Sequence, residues 1–193
     1  MADAATDDPV VSSETDLLVL VDEADNTLGV LDKAACHDGE GRLHRAFSVF
    51  VLDRDGRVLL QQRARGKRLW PGYWSNSCCS HPRAGEALEA AAARRLEQEL
   101  GLVCAPERVY AFTYRARYGE HGTEHEYCHV FLGRSDTTPQ VNQREVAAWR
   151  WVAPEDLERE LEETPERFTP WFRLEWAELR SAHADRLGPR PRP

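Results

Sequence analysis

Residues 80–102 read SHPRAGEALEAAAARRLEQELGL, and this stretch decides the fold. Its alanine-rich portion predicts a helix over Glu86–Leu100, with Leu88, Ala92, Leu96 and Leu100 spaced along one apolar face. Gly101 follows as the stop, since glycine takes the left-handed backbone that closes a helix at no steric cost. Glu99 follows Arg95 by one turn on the same helix.

Outward from this helix, strand-like runs fall at Leu17–Val21, Ala46–Leu52, Val58–Gln62, Val109–Arg117, Glu126–Leu132 and Ala148–Val152. The second and third are joined by Asp53-Arg54-Asp55-Gly56, whose Asp-Gly pair suits a hairpin turn. Pro154–Glu163 reads as a helix with proline in its first turn and acids early. Pro165–His183 holds a further amphipathic segment entered at Pro170. Strands dominate the middle and helices follow them, which predicts an α+β fold, a mixed β-sheet sandwiched between α-helices. There is no internal repeat and no linker, so the expected organisation is a flexible N-terminal tail over 1–14, one domain over 15–187 and a flexible C-terminal tail over 188–193.

The chain has 193 residues, a size typical of one domain, and a formal charge of −8. That balance argues against a nucleic-acid partner, and an anionic substrate would need a local basic pocket. No run reaches the length of a membrane span, and the acidic start is unlike a secretory signal. Five cysteines, Cys36, Cys78, Cys79, Cys104 and Cys128, form an odd set with a vicinal pair, as expected of reduced thiols in a cytoplasm. Isoleucine is absent, and Lys33 and Lys67 are the only lysines among 25 basic residues.

The segment from Trp70 to His81, Trp-Pro-Gly-Tyr-Trp-Ser-Asn-Ser-Cys-Cys-Ser-His, reads as a rigid aromatic loop forming a pocket wall. Cys79 lies two residues before His81, and a thiol near an imidazole or metal can be held as thiolate. Glu124 and Glu126 lie two apart, so on a strand they share a face. His121, His125 and His129 are set aside, because on that strand His125 and His129 face away from the glutamates.

Residues 80–102 also resemble the Nudix pattern G-x5-E-x7-R-E-U-x-E-E-x-G-U. Glu86, Arg94, Leu96, Glu99, Gly101 and Leu102 match it. Ser80, Arg95 and Gln98 replace a glycine and two glutamates of the pattern. Further segments match type 1 isopentenyl diphosphate isomerases, in order, from about Leu17 to Trp176. These are Asp32-Lys33-Ala34-Ala35-Cys36-His37, Arg42–Ser48, Gln62-Arg63-Ala64, the tryptophan loop, Glu124-His125-Glu126 and Thr169-Pro170-Trp171. The resemblance implies a Nudix fold and a metal site of His37, His44, His81, Glu124 and Glu126, holding Mn²⁺, Mg²⁺ or Zn²⁺. It also implies a second Mg²⁺ brought with the substrate through Glu99. Lys33, Arg63, Lys67 and Arg95 are implied to bind a small-molecule diphosphate. Cys79, Glu126, Tyr114 and Trp171 are implied to be catalytic, with Glu126 as acid and Cys79 as base in the forward direction, Tyr114 assisting and Trp171 covering a carbocation. A monomer or weak homodimer without nucleic-acid or membrane partners is expected. Two other readings stand beside it: a Nudix hydrolase of a nucleoside diphosphate derivative, which the losses at Arg95 and Gln98 oppose, and an inactive metal-binding domain, which the retention of Cys79, Glu126 and Tyr114 opposes.

Overall fold

A computed structural model describes residues 7–189. Its organising element is β3 (His44–Leu52), buried on both faces. Phe47, Val49 and Val51 point to one side and pack with Ala91, Ala92, Leu96 and Leu100 of helix α2 (Leu88–Leu100). Phe50 and Leu52 point to the other and pack with Phe172, Trp176 and Leu179 of helix α4 (Pro170–Ala182). Leu157 of helix α3 (Pro154–Glu163) joins this second cluster. Alternation along one strand therefore fills two cores, which is how a sheet sits between helical layers.

The sheet is mixed. β3 runs parallel to β8 (Thr123–Arg134) over nine register pairs, from His44↔Glu126 to Leu52↔Arg134. β7 (Glu107–Arg117) lies antiparallel to β8, and β9 (Val146–Val152) lies antiparallel to β4 (Val58–Arg63). The hairpin around Asp53–Gly56 joins β3 to β4 as expected, with Asp53 accepting from the backbone N–H of Asp55 and Arg57. β1 (Leu17–Val21) pairs with β2 (Thr27–Asp32), which leads directly into the one-turn helix α1 (Lys33–His37). Gly101 closes α2 at φ 64°, its N–H donating to the carbonyl of Glu97.

Every strand expected from the sequence is present, extended by one to three residues at one or both ends in all but the first. β2, α1 and the short strands β5 (Trp74–Ser75) and β6 (Cys78–Ser80) had no expectation. α2 begins at Leu88 rather than Glu86, because Glu86 is drawn off to bind Arg94 and the backbone N–H of Arg83. Of the tail expected over 1–14, residues 1–6 lie outside the described residues, as do 190–193 of the C-terminal tail. Residues 8–14 are bonded to the body of the protein. Pro9 O accepts from Asn142 Nδ2 at 2.9 Å, and the N–H of Ala34 donates to Glu14 O at 2.9 Å.

Candidate active site

Four elements deliver the histidines and glutamates to one point. His37 ends α1, His44 opens β3, and His81 follows β6, which pairs antiparallel with β3. Glu124 and Glu126 stand on the same face of β8, alongside the start of β3. The glycine at 122 (φ 140°) lets this strand approach α1, since a Cβ there would meet the carbonyl oxygen of His37 at 2.5 Å. As a result one donor atom from each of His37, His44, His81, Glu124 and Glu126 lies within 4.8 Å of every other.

The five groups are arranged for an ion rather than for one another. His37 Nδ1 bonds the carbonyl of Lys33 at 2.7 Å, and His44 Nδ1 bonds the carbonyl of Arg42 at 2.8 Å. A carbonyl only accepts, so both rings carry a proton on Nδ1 and turn Nε2 inward. His44 Nε2 then meets His81 Nε2 at 3.1 Å, and His81 Nε2 meets Glu126 Oε1 at 3.1 Å. His37 Nε2 and Glu124 Oε2 form a buried ion-pair contact at 2.8 Å whose geometry is not that of a hydrogen bond. Orphaned buried donor atoms converging on one centre, in a mixed nitrogen and oxygen set, fit a divalent cation.

The electrostatics agree with this geometry. Burial pushes the Glu126 carboxyl up, but the His44 ring and the Tyr114 hydroxyl outweigh it and hold it below the usual range. Glu124 is also buried and is also held low, in its case by His37. Burial, with His44 and His37 beside it, holds His81 well below its ordinary value, so it remains a neutral ligand. The two oxygens of Glu126 have separate tasks: Oε1 faces His81, and Oε2 accepts from Tyr114 Oη at 2.7 Å.

Next to this centre opens a cavity of about 870 Å³. Its lining includes Cys79, Tyr114, Glu126 and Trp171 together with the cations Lys33, Arg63, Lys67 and Arg95. Cys79 is placed by a buried polar scaffold beneath the tryptophan loop. Ser77 Oγ donates to the carbonyl of Leu59 at 2.7 Å and accepts from the N–H of Val51 at 2.8 Å. Asn76 Nδ2 donates to the carbonyl of Cys78 at 2.7 Å. Ser75 Oγ meets Thr169 Oγ1 at 2.9 Å, and the N–H of Thr169 donates to Trp74 O, which fixes the start of α4 and hence Trp171. Trp171 is 2% exposed, packed edge-on to Trp70 with ring centroids 5.1 Å apart. The Arg63 guanidinium lies 5.3 Å from the Trp171 ring and 3.7 Å from Cys79 Sγ.

Desolvation and charge oppose one another at Cys79: burial pushes its thiol up to about 12, and the nearby Arg63 only partly offsets this. The charge beside the sulfur is a guanidinium, and desolvation outweighs it.

Helix α2 contributes Arg95 to the same cavity. Arg95 is 3% exposed and bonds Glu99 Oε1 through Nε at 3.0 Å and through Nη2 at 2.6 Å. Arg94 is occupied elsewhere, forking onto both oxygens of Glu86 at 2.7 and 2.8 Å and reaching Gln98 at 3.2 Å.

Comparison with known proteins agrees with this architecture. A NUDIX domain model matches residues 42–172. The chain is 45% identical over 172 residues to "Isopentenyl-diphosphate Delta-isomerase 1" of Photorhabdus laumondii, spanning 88% of this chain and 98% of that protein. It is 48% identical over 154 residues to the "Isopentenyl-diphosphate Delta-isomerase" of Nocardia farcinica, spanning 79% and 88%. The chain belongs to the isopentenyl-diphosphate delta-isomerase family, within the Nudix superfamily. Among solved structures, DR0079 from Deinococcus radiodurans shares the fold at a TM-score of 0.63 and 23% identity, over 77% of this chain and 90% of that one.

Every site residue expected from the family resemblance lies at the five-donor centre or lines the adjoining cavity, except Glu99, which sits beneath Arg95. Sequence reading missed two acidic residues. Glu145, 4% exposed, ion-pairs with Lys67 and lies 3.5 Å from Arg95. Glu175, fully buried on α4, has Oε1 3.6 Å from Cys128 Sγ, and burial pushes its carboxyl up to about 8. Neither carries a motif, and the position of Glu175 among apolar helix residues was the only available signal. Among the described residues no helix is long and apolar enough to cross a membrane.

Proposed function

We propose that the protein interconverts isopentenyl and dimethylallyl diphosphate by a 1,3-allylic proton shift. The observation that carries this reading is one cavity lined by Cys79 and by Glu126 with its Tyr114 partner, with four cations at the same opening. Proton addition to C4 of the isopentenyl group leaves a tertiary cation at C3, and loss of a proton from C2 completes the new double bond. Both steps leave the diphosphate intact. Acid and base must therefore act on a hydrocarbon, while the charged group is gripped elsewhere.

Glu126 serves as the acid and Cys79 as the base towards dimethylallyl diphosphate, with Tyr114 relaying or orienting the proton at Glu126 Oε2. Roles exchange in the reverse direction. In that reverse direction Cys79 gives the proton and Glu126 takes it. The indole face of Trp171 covers the cation, worth about 2 kcal/mol when desolvated. The packed rings of Trp70 and Trp171 also keep out the water that would trap it as an alcohol.

Lys33, Arg63, Lys67 and Arg95 bind the diphosphate. Arg95 stands where a hydrolytic Nudix helix carries a glutamate, so a group that would hold an activating metal becomes one that grips phosphate. Glu99 receives the Mg²⁺ that accompanies the substrate. His37, His44, His81, Glu124 and Glu126 hold Mn²⁺, Mg²⁺ or Zn²⁺. A divalent ion there supplies a positive charge that orders the donors and tunes the acidity of Glu126.

Phosphorus-31 NMR of protein, Mg²⁺ and isopentenyl diphosphate tests this reading. An intact diphosphate with a shifted allylic environment is expected. Release of orthophosphate would replace the isomerase with a hydrolase.

A further inference from the structure

Glu145 precedes β9 at the end of the turn Asn142–Glu145, and its carboxylate is 4% exposed. A charged group in such a place must be partnered. Its Oε2 accepts from Lys67 Nζ and lies 3.5 Å from Arg95 Nη2. Burial pushes its carboxyl up, but Lys67 and Arg95 hold it low.

The backbone at Glu145 is fixed to both elements that carry those cations. Ala64 N–H donates to Glu145 O at 3.0 Å, and Lys67 N–H donates to Ala64 O at 3.1 Å, which ties the turn to the Lys67 loop. Asn142 N–H donates to Glu99 O at 2.9 Å, and Glu145 N–H donates to Asn142 O at 3.0 Å, which ties it to α2 one turn from Arg95. The carboxylate is thus held at a defined point between a lysine and an arginine from different parts of the chain.

We propose that Glu145 is a positioning residue for the diphosphate subsite, holding the Lys67 ammonium and the Arg95 guanidinium together at the spacing that grips the substrate. This rests on the isomerase reading given above. Four cations gathered at one opening repel one another, and a lysine on a flexible stem would swing to solvent. Glu145 restrains Lys67 directly, while Glu99 restrains Arg95. Lys33, Arg63, Lys67 and Arg95 outnumber Glu99 and Glu145, the two carboxylates paired with Arg95 and Lys67, which favours an arriving diphosphate. Lys67 and Arg95 enter binding already aligned, which lowers the ordering cost of gripping the anion. A carboxylate that only neutralised the cations would compete with the diphosphate, and its removal would tighten binding. The two roles therefore predict opposite signs.

The test uses the metal-loaded full chain and the Glu145→Gln and Glu145→Asp variants. Initial rates with isopentenyl diphosphate are measured beside calorimetric titration with inorganic pyrophosphate and Mg²⁺. Glu145→Gln is expected to raise KM and weaken pyrophosphate by roughly tenfold or more, with kcat within about threefold, and Glu145→Asp to recover part of the loss. Unchanged or tighter pyrophosphate binding, or a fall in kcat at constant KM, overturns the proposal. Should Glu145→Gln fail to fold, Glu145→Asp is compared on the wild-type and Lys67→Met backgrounds. A loss confined to the background that keeps Lys67 supports the proposal, and equal losses on both overturn it. Failure of the wild-type protein to isomerise its substrate would sink the functional reading alone, since pyrophosphate affinity still reports on Glu145.

Discussion

Tyr114 stands directly across from Glu126 in the antiparallel β7–β8 ladder, and its hydroxyl donates to Glu126 Oε2 at 2.7 Å. The same carboxylate turns Oε1 to His81 at 3.1 Å, so one side chain belongs to both the donor cluster and the cavity. Tyr114→Phe removes the donor but keeps the ring. It is expected to lower kcat roughly ten- to a thousandfold with little change in KM, because the lost contact serves the proton transfer. Glu126→Gln should cost more, roughly a hundred- to ten-thousandfold. Steady-state kinetics decide this, and a Tyr114→Phe variant with full kcat would remove the tyrosine from the proton path.

Filling the donor centre should stabilise the fold. His37 Nε2 and Glu124 Oε2 are buried without hydrogen-bond partners until an ion satisfies them. Adding Mn²⁺ or Zn²⁺ to chelator-treated protein, at a hundredfold above Kd, should contribute about 2.7 kcal/mol and raise Tm by roughly 5–10 °C. Glu124→Gln should blunt that rise. Calorimetric scans that show no metal-dependent Tm in the wild type would contradict the assignment.

Glu175 gives a pH signature. Its carboxyl is pushed up from 4.5 to about 8 by burial, with Ser48 and Cys128 beside it and the charge of Glu126 adding to the rise. Between about pH 4.5 and 8 the unfolded chain has released this proton while the native protein keeps it. Stability from this group therefore falls as pH rises across that window and levels off above it. Glu175→Gln mimics the neutral acid, so its stability relative to wild type should improve from pH 5 to pH 8 by a few kcal/mol, in order of magnitude. Urea unfolding at both pH values measures it. An unchanged difference would show that Glu175 titrates normally.

Ser77 links the sheet to the catalytic loop through two buried hydrogen bonds, to Leu59 O and from Val51 N–H. Ser77→Ala leaves both backbone groups unpaired and should cost about 1–3 kcal/mol of stability. Denaturant melts test this, and a loss below about 0.5 kcal/mol would mean that the loop is held by other contacts.

The legible parts of the sequence were those with a repeating physical rule. Apolar runs on either side of an Asp-Gly turn marked β3 and β4, four-residue spacing marked α2, and the spacing of Glu124 and Glu126 placed both on one strand face. The donor centre could be named because its residues recur in a known order, though the convergence of α1, β3, β6 and β8 was not itself readable. β2 escaped because Leu28 and Val30 are exposed on an edge strand, so apolar alternation there marks no core face. Glu145 escaped because its importance lies in which cations the fold brings to it. The setting of Cys79 was unreadable for a related reason: the sequence shows His81 nearby, but only the structure shows that burial pushes the thiol up.

The proposed reaction turns on a proton delivered to carbon by an exchangeable acid. Its most direct test is a proton NMR time course of the metal-loaded protein with isopentenyl diphosphate and Mg²⁺ in D₂O. Dimethylallyl diphosphate carrying deuterium in a methyl group is the predicted result. Release of phosphate, or no turnover with the metal centre occupied, would contradict it.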